Sequence, residues 1–193
     1  MQSHTVLFGG TFDPVHNAHV EIARAARARF GLRRVLFVPA ANPPHKSRGA
    51  QASYEDRVRM LQLASRNEPG FEVSRIEQSS AASPARPSYS IDTIEKVRAA
   101  GTEALSFLIG ADAFAEITTW YRWQDVVSLV EFIVVTRPGA LYEIPPGATV
   151  HELGGLRMPV SSSEIRQRLA AGDGDVPVPE PVLRYIREHG LYR

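Results

Sequence analysis

Short apolar runs alternate with amphipathic stretches along most of the chain. Apolar runs rich in β-branched and aromatic residues, several bounded by glycine or proline, predict six strands: Thr5–Phe8, Arg34–Pro39, Phe71–Ile76, Leu105–Ile109, Phe132–Thr136 and Thr149–Leu153. Apolar residues at helical spacing predict five helices between and after them: Asn17–Phe30, Tyr54–Ser65, Ser90–Ala100, Ser163–Ala171 and Pro181–His189.

This alternation of strands and helices indicates the fold class. Strands that are apolar along their whole length are typical of a parallel sheet covered by helices on both faces. We therefore expect an α/β, Rossmann-like, doubly wound parallel sheet, and the 193 residues suit a single domain spanning the whole chain. In such sheets ligands bind beyond the carboxyl ends of the strands, so the loops that follow the strands should carry the chemistry.

Composition excludes several classes of protein and site. The 22 Lys and Arg residues balance 21 Asp and Glu residues, which argues against a nucleic-acid partner, and we interpret the Arg-rich first helix as a solvated face. Cysteine is absent, so disulfides, cysteine-based metal sites and a thiol nucleophile are excluded. No signal peptide is evident and no apolar run reaches the ~18 residues of a membrane span. We expect a soluble, cytoplasmic protein with no membrane partner.

The most informative segment joins the first strand to the first helix and reads GGTFDPVHNAH, from Gly9 to His19. Its glycines allow close approach of the backbone to a ligand, and the N–H groups at a helix start form an anion site. His16 and His19 are three residues apart, so both can lie on one side of the first helical turn. Two imidazoles beside a phosphate site suit phosphoryl or nucleotidyl transfer.

Other interpretations of this segment remain open. It matches neither the P-loop nor the G-x-G-x-x-G pattern. Zincin histidines are four residues apart with a Glu between them, and that Glu is missing here, so we expect no metal on His16 and His19. The alternative interpretation is that the two histidines only cap the helix. Asp13-Pro14 is typical of a turn that positions the following helix, and Phe12 is expected to pack in the core.

A second motif, SSSEIR from Ser161 to Arg166, precedes the next-to-last helix. Serine is a good N-cap, and Ser161 with Glu164 fits a capping box. A helix N-terminus with hydroxyl groups and Arg166 also suits a phosphate clamp. The two interpretations are compatible, and two phosphate-type helix starts in one chain favour a triphosphate substrate.

The pairing of G-G-T-F-D-P-x-H-x-x-H with S-S-S-x-I-R resembles the nucleotidyltransferase superfamily with an H-x-G-H signature. Within it the chain is similar to bacterial nicotinate-nucleotide adenylyltransferases almost end to end. Ala18 departs from the signature, whose Gly lets adenine lie close to the helix backbone. The similarity continues in six further segments: Pro43-Pro44-His45-Lys46, Pro87-Ser88-Tyr89-Ser90, Ile109-Gly110-Ala111-Asp112, Thr119-Trp120-Tyr121, Arg137-Pro138-Gly139 and Pro179–Arg193.

The resemblance implies a reaction. The family joins ATP to nicotinate mononucleotide, giving nicotinate adenine dinucleotide and pyrophosphate in NAD biosynthesis. The mononucleotide phosphate attacks the α-phosphorus of ATP without a covalent enzyme intermediate, so catalysis rests on positioning and charge stabilisation. Mg²⁺ is expected to be carried by ATP and pyrophosphate, with no protein cage of its own. A homo-oligomer is compatible with the sequence.

The resemblance also assigns roles to residues. Catalysis is assigned to His16, His19, Lys46 and Arg166, with His19 expected to stabilise the transition state. ATP binding is assigned to Gly9, Gly10, Thr11, Phe12, His16, His19, Gly110, Asp112, Ser161, Ser163 and Arg166, and the helical part from about residue 161 should complete this site. Nicotinate mononucleotide binding is assigned to Thr11, Lys46, Tyr89, Ser90, Trp120, Tyr121 and Arg137. Trp120 is expected to stack on the pyridine ring, and the backbone N–H groups of Ser90 and Tyr121 to bind its carboxylate.

Three alternatives compete with this function. The same fold could act on nicotinamide mononucleotide or phosphopantetheine, or serve as a non-catalytic nucleotide sensor. The Pro-Ser-Tyr-Ser and Thr-Trp-Tyr segments favour the nicotinate acceptor, and the intact histidines disfavour the sensor. For Trp120 and Trp123, ordinary core packing is the alternative role.

Overall fold

The computed structural model describes residues 5–42, 50–78, 87–102, 104–137, 139, 141–155 and 160–193. Within these ranges the chain forms six strands and seven α-helices. The strands are β1 (Thr5–Gly10), β2 (Arg34–Pro39), β3 (Phe71–Val73), β4 (Leu105–Gly110), β5 (Glu131–Val135) and β6 (Thr149–Leu153). The helices are α1 (Asn17–Phe30), α2 (Tyr54–Ser65), α3 (Ser90–Ala99), α4 (Ala111–Ala115), α5 (Trp123–Leu129), α6 (Ser162–Ala170) and α7 (Glu180–Glu188).

The strands form one sheet in the order β3-β2-β1-β4-β5-β6, and every neighbouring pair is parallel. The chain builds outward from β1 to β3 on one side, then returns to β4 beside β1 and builds outward to β6 on the other. The order therefore reverses between β1 and β4, where a doubly wound sheet opens a crevice for ligands. The predicted fold class is confirmed.

Alternate residues of each central strand enter two separate cores. In β1, Val6 and Phe8 pack on one face of the sheet and Leu7 packs on the other, because successive side chains of a strand point in opposite directions. The first core is completed by α1, α2, α6 and α7, and the second by α3, α4 and α5. Helices on both faces explain why the strands lack a polar side.

One local prediction was wrong, and two short helices were not predicted. The third strand was predicted to reach Ile76, but β3 ends at Val73. The Ile76 N–H donates to the Ser74 hydroxyl, and the Gln78 N–H donates to the Arg75 carbonyl, so a side chain draws the backbone into a turn. Helices α4 and α5 were not predicted, because five and seven residues are too few for a clear helical period.

The described part of the chain contains no helix that is both long and apolar enough to cross a membrane.

Candidate active site

Two cavities open at the point where the strand order reverses. The first, here called the tryptophan pocket, has a volume of about 250 Å³ and is lined by residues that include Thr11, Ser90 and Trp120. The second, here called the histidine pocket, has a volume of about 220 Å³. Phe8 and Gly110 line both cavities, so the two pockets adjoin across the ends of β1 and β4. The residues that line only the histidine pocket include His16, Ala18, His19, Ile22, Asp112, Arg137 and Val160.

The turn after β1 has little room for side chains. A Cβ on Gly10 would lie 3.1 Å from the Phe12 ring, closer than most such contacts allow. Phe12 itself has a φ of 51°, in the left-handed region, and its ring is buried, as expected. Phe12 was assigned to ATP binding; with its ring in the core, only its backbone is suited to that role.

Side chains from other elements bind the carbonyl oxygens of this turn. The Arg57 guanidinium of α2 donates to the Thr11 carbonyl at 2.8 Å and also to the Ala40 carbonyl after β2. Arg166 of α6 donates to the Asp13 carbonyl at 2.7 Å, and the Ser162 hydroxyl donates to the Pro14 carbonyl at 3.0 Å. Three carbonyl groups of the turn are thus fixed by residues distant in sequence.

The Asp13 carboxylate is an anchor inside the fold. Asp13 is 1% exposed and is followed by a cis peptide bond to Pro14. Its oxygens accept from the backbone N–H groups of Gln51 and Ala52 at 2.9 and 3.1 Å, and from the Tyr192 hydroxyl at 2.8 Å. This agrees with the predicted structural role of Asp13-Pro14.

His16 and His19 lie together at the start of α1. His16 is the N-cap residue and their rings stack with centroids 3.7 Å apart. The His16 N–H donates to Nδ1 of His19 at 3.2 Å. Because Nδ1 accepts this bond, neutral His19 carries its proton on Nε2. The Phe12 ring lies edge-on to His19 at 5.0 Å.

Burial keeps both imidazoles neutral. Desolvation lowers the pKa of His16 from 6.5 to about 4. Desolvation, aided by repulsion from His16, holds the pKa of His19 well below its ordinary value. Nδ1 of His16 is buried without a hydrogen-bond partner among the described residues. Near neutral pH the pair therefore offers uncharged N–H donors, and an anionic ligand would favour their protonation.

The tryptophan pocket brings three of the predicted acceptor residues together: Thr11, Ser90 and Trp120. Ser90 is the first residue of α3, so its N–H belongs to the helical turn whose amides lack partners within the helix. Trp120 meets the Phe107 ring edge-on at 6.0 Å, so it combines core packing with a place in the pocket wall. Trp123 packs against the second core without lining either pocket.

Tyr89 and Tyr121 flank this region. Their rings lie 4.7 Å apart at an angle of 38°, and Tyr121 is 51% exposed. Neither lines the tryptophan pocket itself, so their predicted contact with an acceptor would be made by backbone groups or at the surface.

Other predicted residues lie apart from their assigned partners. Arg137, assigned to the acceptor, lines the histidine pocket. Ser163 and Arg166 line a third cleft of about 350 Å³ that also includes Tyr192. Ser161 caps α6 by accepting from the Glu164 N–H at 3.1 Å, as the capping interpretation predicts. Lys46 lies outside the described residues.

Sequence reasoning missed three polar residues at this site. Glu77 and Thr93 line the tryptophan pocket, and the Thr93 hydroxyl donates to Glu77 at 2.5 Å. Arg57, only 2% exposed, bridges two loops. Glu77 follows a predicted strand, which was the one signal available; Thr93 and Arg57 sit within helices and belong to no motif.

Within the described ranges no group of three or more His, Asp or Glu residues is arranged to hold a metal ion. Asp112, the second residue of α4, is the carboxylate that lines the histidine pocket.

Comparison with known proteins identifies the family of this chain. The family model described as cytidylyltransferase-like matches residues 7–168. A "Probable nicotinate-nucleotide adenylyltransferase" from Solibacter usitatus is 57% identical over 188 residues, covering 96% of this chain and 97% of the relative. A protein of the same name from Bordetella pertussis is 41% identical, covering 97% and 96% of the two chains.

A solved structure has the same fold. The nicotinic acid mononucleotide adenylyltransferase of Plasmodium falciparum, complexed with NaAD, superposes with a TM-score of 0.79 and covers 99% of this chain and 98% of its own. At 17% identity this likeness concerns the architecture.

Proposed function

The chain belongs to the nicotinate-nucleotide adenylyltransferase family, and on that premise we propose that it transfers the adenylyl group of ATP to nicotinate mononucleotide. The products are nicotinate adenine dinucleotide and pyrophosphate. The observation that carries the proposal is the pair of adjoining pockets at the strand reversal, one lined by the half-buried indole of Trp120 and one by two neutral imidazoles. A dinucleotide has two halves joined by a diphosphate, which suits two pockets with a phosphate-binding turn between them.

The tryptophan pocket is the proposed acceptor site. The pyridine ring stacks on Trp120, an arrangement favourable for a flat ring. The nicotinate carboxylate binds the N–H of Ser90 at the N-terminus of α3, where the helix dipole favours negative charge, and the N–H of Tyr121. The mononucleotide phosphate then approaches Thr11 at the end of β1, where Lys46 is also expected to neutralise charge.

The histidine pocket is the proposed ATP site. Apolar contacts with adenine come from Ala18, Ile22 and Val160. The Asp112 carboxylate is suited to accept hydrogen bonds from the ribose hydroxyl groups. The phosphates lie near His16 and His19. Gly9 and Gly10, which line the tryptophan pocket, would contact them where the two pockets adjoin.

Arg166 and the serines of the second motif remain predicted ATP ligands. In the structure Arg166 is bound to the Asp13 carbonyl and to the Ser163 hydroxyl. These two bonds use two of the five N–H donors of the guanidinium, so its other N–H groups remain suited to a phosphate oxygen of ATP.

The reaction proposed is a direct displacement. An oxygen of the mononucleotide phosphate attacks the α-phosphorus of ATP, the bond from that phosphorus to pyrophosphate breaks, and pyrophosphate leaves. The neutral His19 donates from Nε2 to an oxygen of the α-phosphoryl group as its charge grows, and the aligned reactants need no enzyme nucleophile. Mg²⁺ enters as part of the nucleotide substrate and screens the phosphate charge.

The test supplies ATP and Mg²⁺ with one of three acceptors and measures dinucleotide and pyrophosphate. The acceptors are nicotinate mononucleotide, nicotinamide mononucleotide and phosphopantetheine. Strong turnover with the nicotinate form alone supports the proposal, whereas equal turnover with the nicotinamide form refutes the carboxylate site. Absence of turnover in a folded protein that still binds ATP identifies a nucleotide sensor.

A variant of His19 tests the catalytic role separately. His19→Ala removes the Nε2 donor and is expected to lower kcat by about 100-fold or more, the usual cost of losing one donor to a developing oxyanion. A loss of only a few-fold would contradict that role. Cytoplasmic location, a homo-oligomeric state and the absence of a nucleic-acid partner stay predictions.

A further inference from the structure

The segment after α7 returns to the centre of the molecule. Tyr192 is 8% exposed, and its hydroxyl donates to the Asp13 carboxylate at 2.8 Å. Its φ of 63° lies in the left-handed region that residues other than glycine rarely adopt. The surrounding contacts therefore hold Tyr192 in an unfavourable backbone conformation, and the hydrogen bond to Asp13 is one of them.

The Tyr192 hydroxyl keeps its proton and so remains a hydrogen-bond donor to Asp13. Burial and the adjacent Asp13 carboxylate raise the pKa of Tyr192 above its ordinary value, so the phenol stays protonated. Asp13 also accepts hydrogen bonds from the backbone N–H groups of Gln51 and Ala52, and the Arg166 guanidinium lies 3.9 Å away. A buried carboxylate needs such donors to stay in place.

Asp13 lies within the turn that joins β1 to the start of α1. It follows the Gly9-Gly10 turn and precedes His16 by three residues. Its carboxylate and carbonyl groups are bound on one side by Tyr192 and Arg166, while the histidine pocket is lined by His16 and His19. A shift of Asp13 would therefore move the phosphate-binding turn relative to the histidines.

We propose that Tyr192 is a positioning residue for adenylyl transfer: its hydroxyl fixes Asp13, and through it the turn that aligns the ATP phosphates with His16 and His19. This inference rests on the proposed function. Tyr192 lines neither pocket of the active site, so it acts through Asp13 and is not itself a catalytic residue.

The chain offers a matched control. Tyr185 on α7 donates from its hydroxyl to the Asp56 carboxylate, also at 2.8 Å, but neither Tyr185 nor Asp56 contacts the turn. Tyr192→Phe and Tyr185→Phe each remove one phenol-to-carboxylate hydrogen bond and retain the ring. Of these two hydrogen bonds, only the one between Tyr192 and Asp13 involves a residue of the phosphate-binding turn.

Three measurements are compared for both variants: kcat and KM with nicotinate mononucleotide, ATP-binding stoichiometry, and hydrogen exchange of the peptide covering residues 9–17. Tyr192→Phe is expected to lower kcat per ATP-binding site about tenfold, with smaller changes in KM. It should also speed exchange in that peptide. Tyr185→Phe should change neither quantity.

The outcomes separate the two proposals. Unchanged kcat and exchange in Tyr192→Phe, or equal losses in both variants, would overturn the positioning role. Lower kcat caused only by fewer ATP-binding sites would also overturn it, because it would reflect partial unfolding. If the wild-type protein makes no dinucleotide, the proposed function fails, and faster exchange in Tyr192→Phe alone would still support the fixing of the turn by Tyr192.

Discussion

The buried His16 should make the stability of the protein depend on pH. Burial lowers the pKa of His16 to about 4 in the folded state, from 6.5. The unfolded chain therefore binds more protons between these two values, so the free energy of unfolding rises with pH in this window. Stability is lost as the pH falls below about 6.5, and the loss stops once the pH is below the folded pKa of about 4.

The magnitude follows from the two pKa values. Each unit of difference between the folded and unfolded pKa values can contribute about 1.4 kcal/mol to the free energy of unfolding. Between about pH 7.5 and about pH 5, the difference in proton binding between the unfolded and folded states adds up to roughly one and a half pH units. His16 alone therefore lowers the free energy of unfolding by about 2 kcal/mol. For a chain of this length, that loss should lower the midpoint of urea unfolding by about 1 M.

The assay is urea unfolding at both pH values for the wild-type protein, His16→Gln and His189→Gln. Glutamine does not titrate, so His16→Gln should lose about 2 kcal/mol less than the wild type between the two pH values. His189 is exposed on the surface, and His189→Gln is the control for replacing a histidine by glutamine outside the site. Equal pH dependence in all three proteins would refute the assignment of His16 as a buried, neutral imidazole.

Three further predictions concern the pockets and the backbone. Trp120→Ala should raise the KM for nicotinate mononucleotide about tenfold or more, because stacking on an aromatic ring is worth ~1–3 kcal/mol, whereas Trp123→Ala should lower the melting temperature and leave KM unchanged. Asp112→Asn should raise the KM for ATP several-fold in steady-state assays; an unchanged KM would argue against a ribose contact. Gly70→Ala places a Cβ 2.5 Å from a backbone carbonyl oxygen, while Gly101→Ala, also at positive φ, meets nothing within 4 Å. Urea unfolding should therefore show a loss larger by about 1–3 kcal/mol for Gly70→Ala, and equal losses would contradict the packing described.

The parts of the structure that sequence predicts well depend on neighbouring residues. The continuous apolar runs of β1 and β2 and the helical spacing of apolar residues in α1 are local patterns, so the sheet and its longer covering helices could be predicted. The histidine pair was found because His16 and His19 share one helical turn. Its depressed pKa values could not be predicted, because they arise from burial by the whole fold.

The contacts that the sequence does not predict are those between residues far apart in the chain. Asp13 and Tyr192 are 179 residues apart in sequence, and their hydrogen bond follows from how α7 packs against α2. Arg57 resembled any arginine on an amphipathic helix, yet it is buried and donates to two loop carbonyls. The placement of Arg137 with the histidines likewise depends on the neighbouring ends of β4 and β5.

The most direct test of the central claim is a crystal structure of the protein with nicotinate adenine dinucleotide. The two adjoining pockets should hold the two halves of this product. The pyridine ring is expected against Trp120 and the adenosine beside Ala18 and Asp112, with the diphosphate between the Gly9-Gly10 turn and His19. Binding in the opposite orientation, or outside both pockets, would contradict the claim.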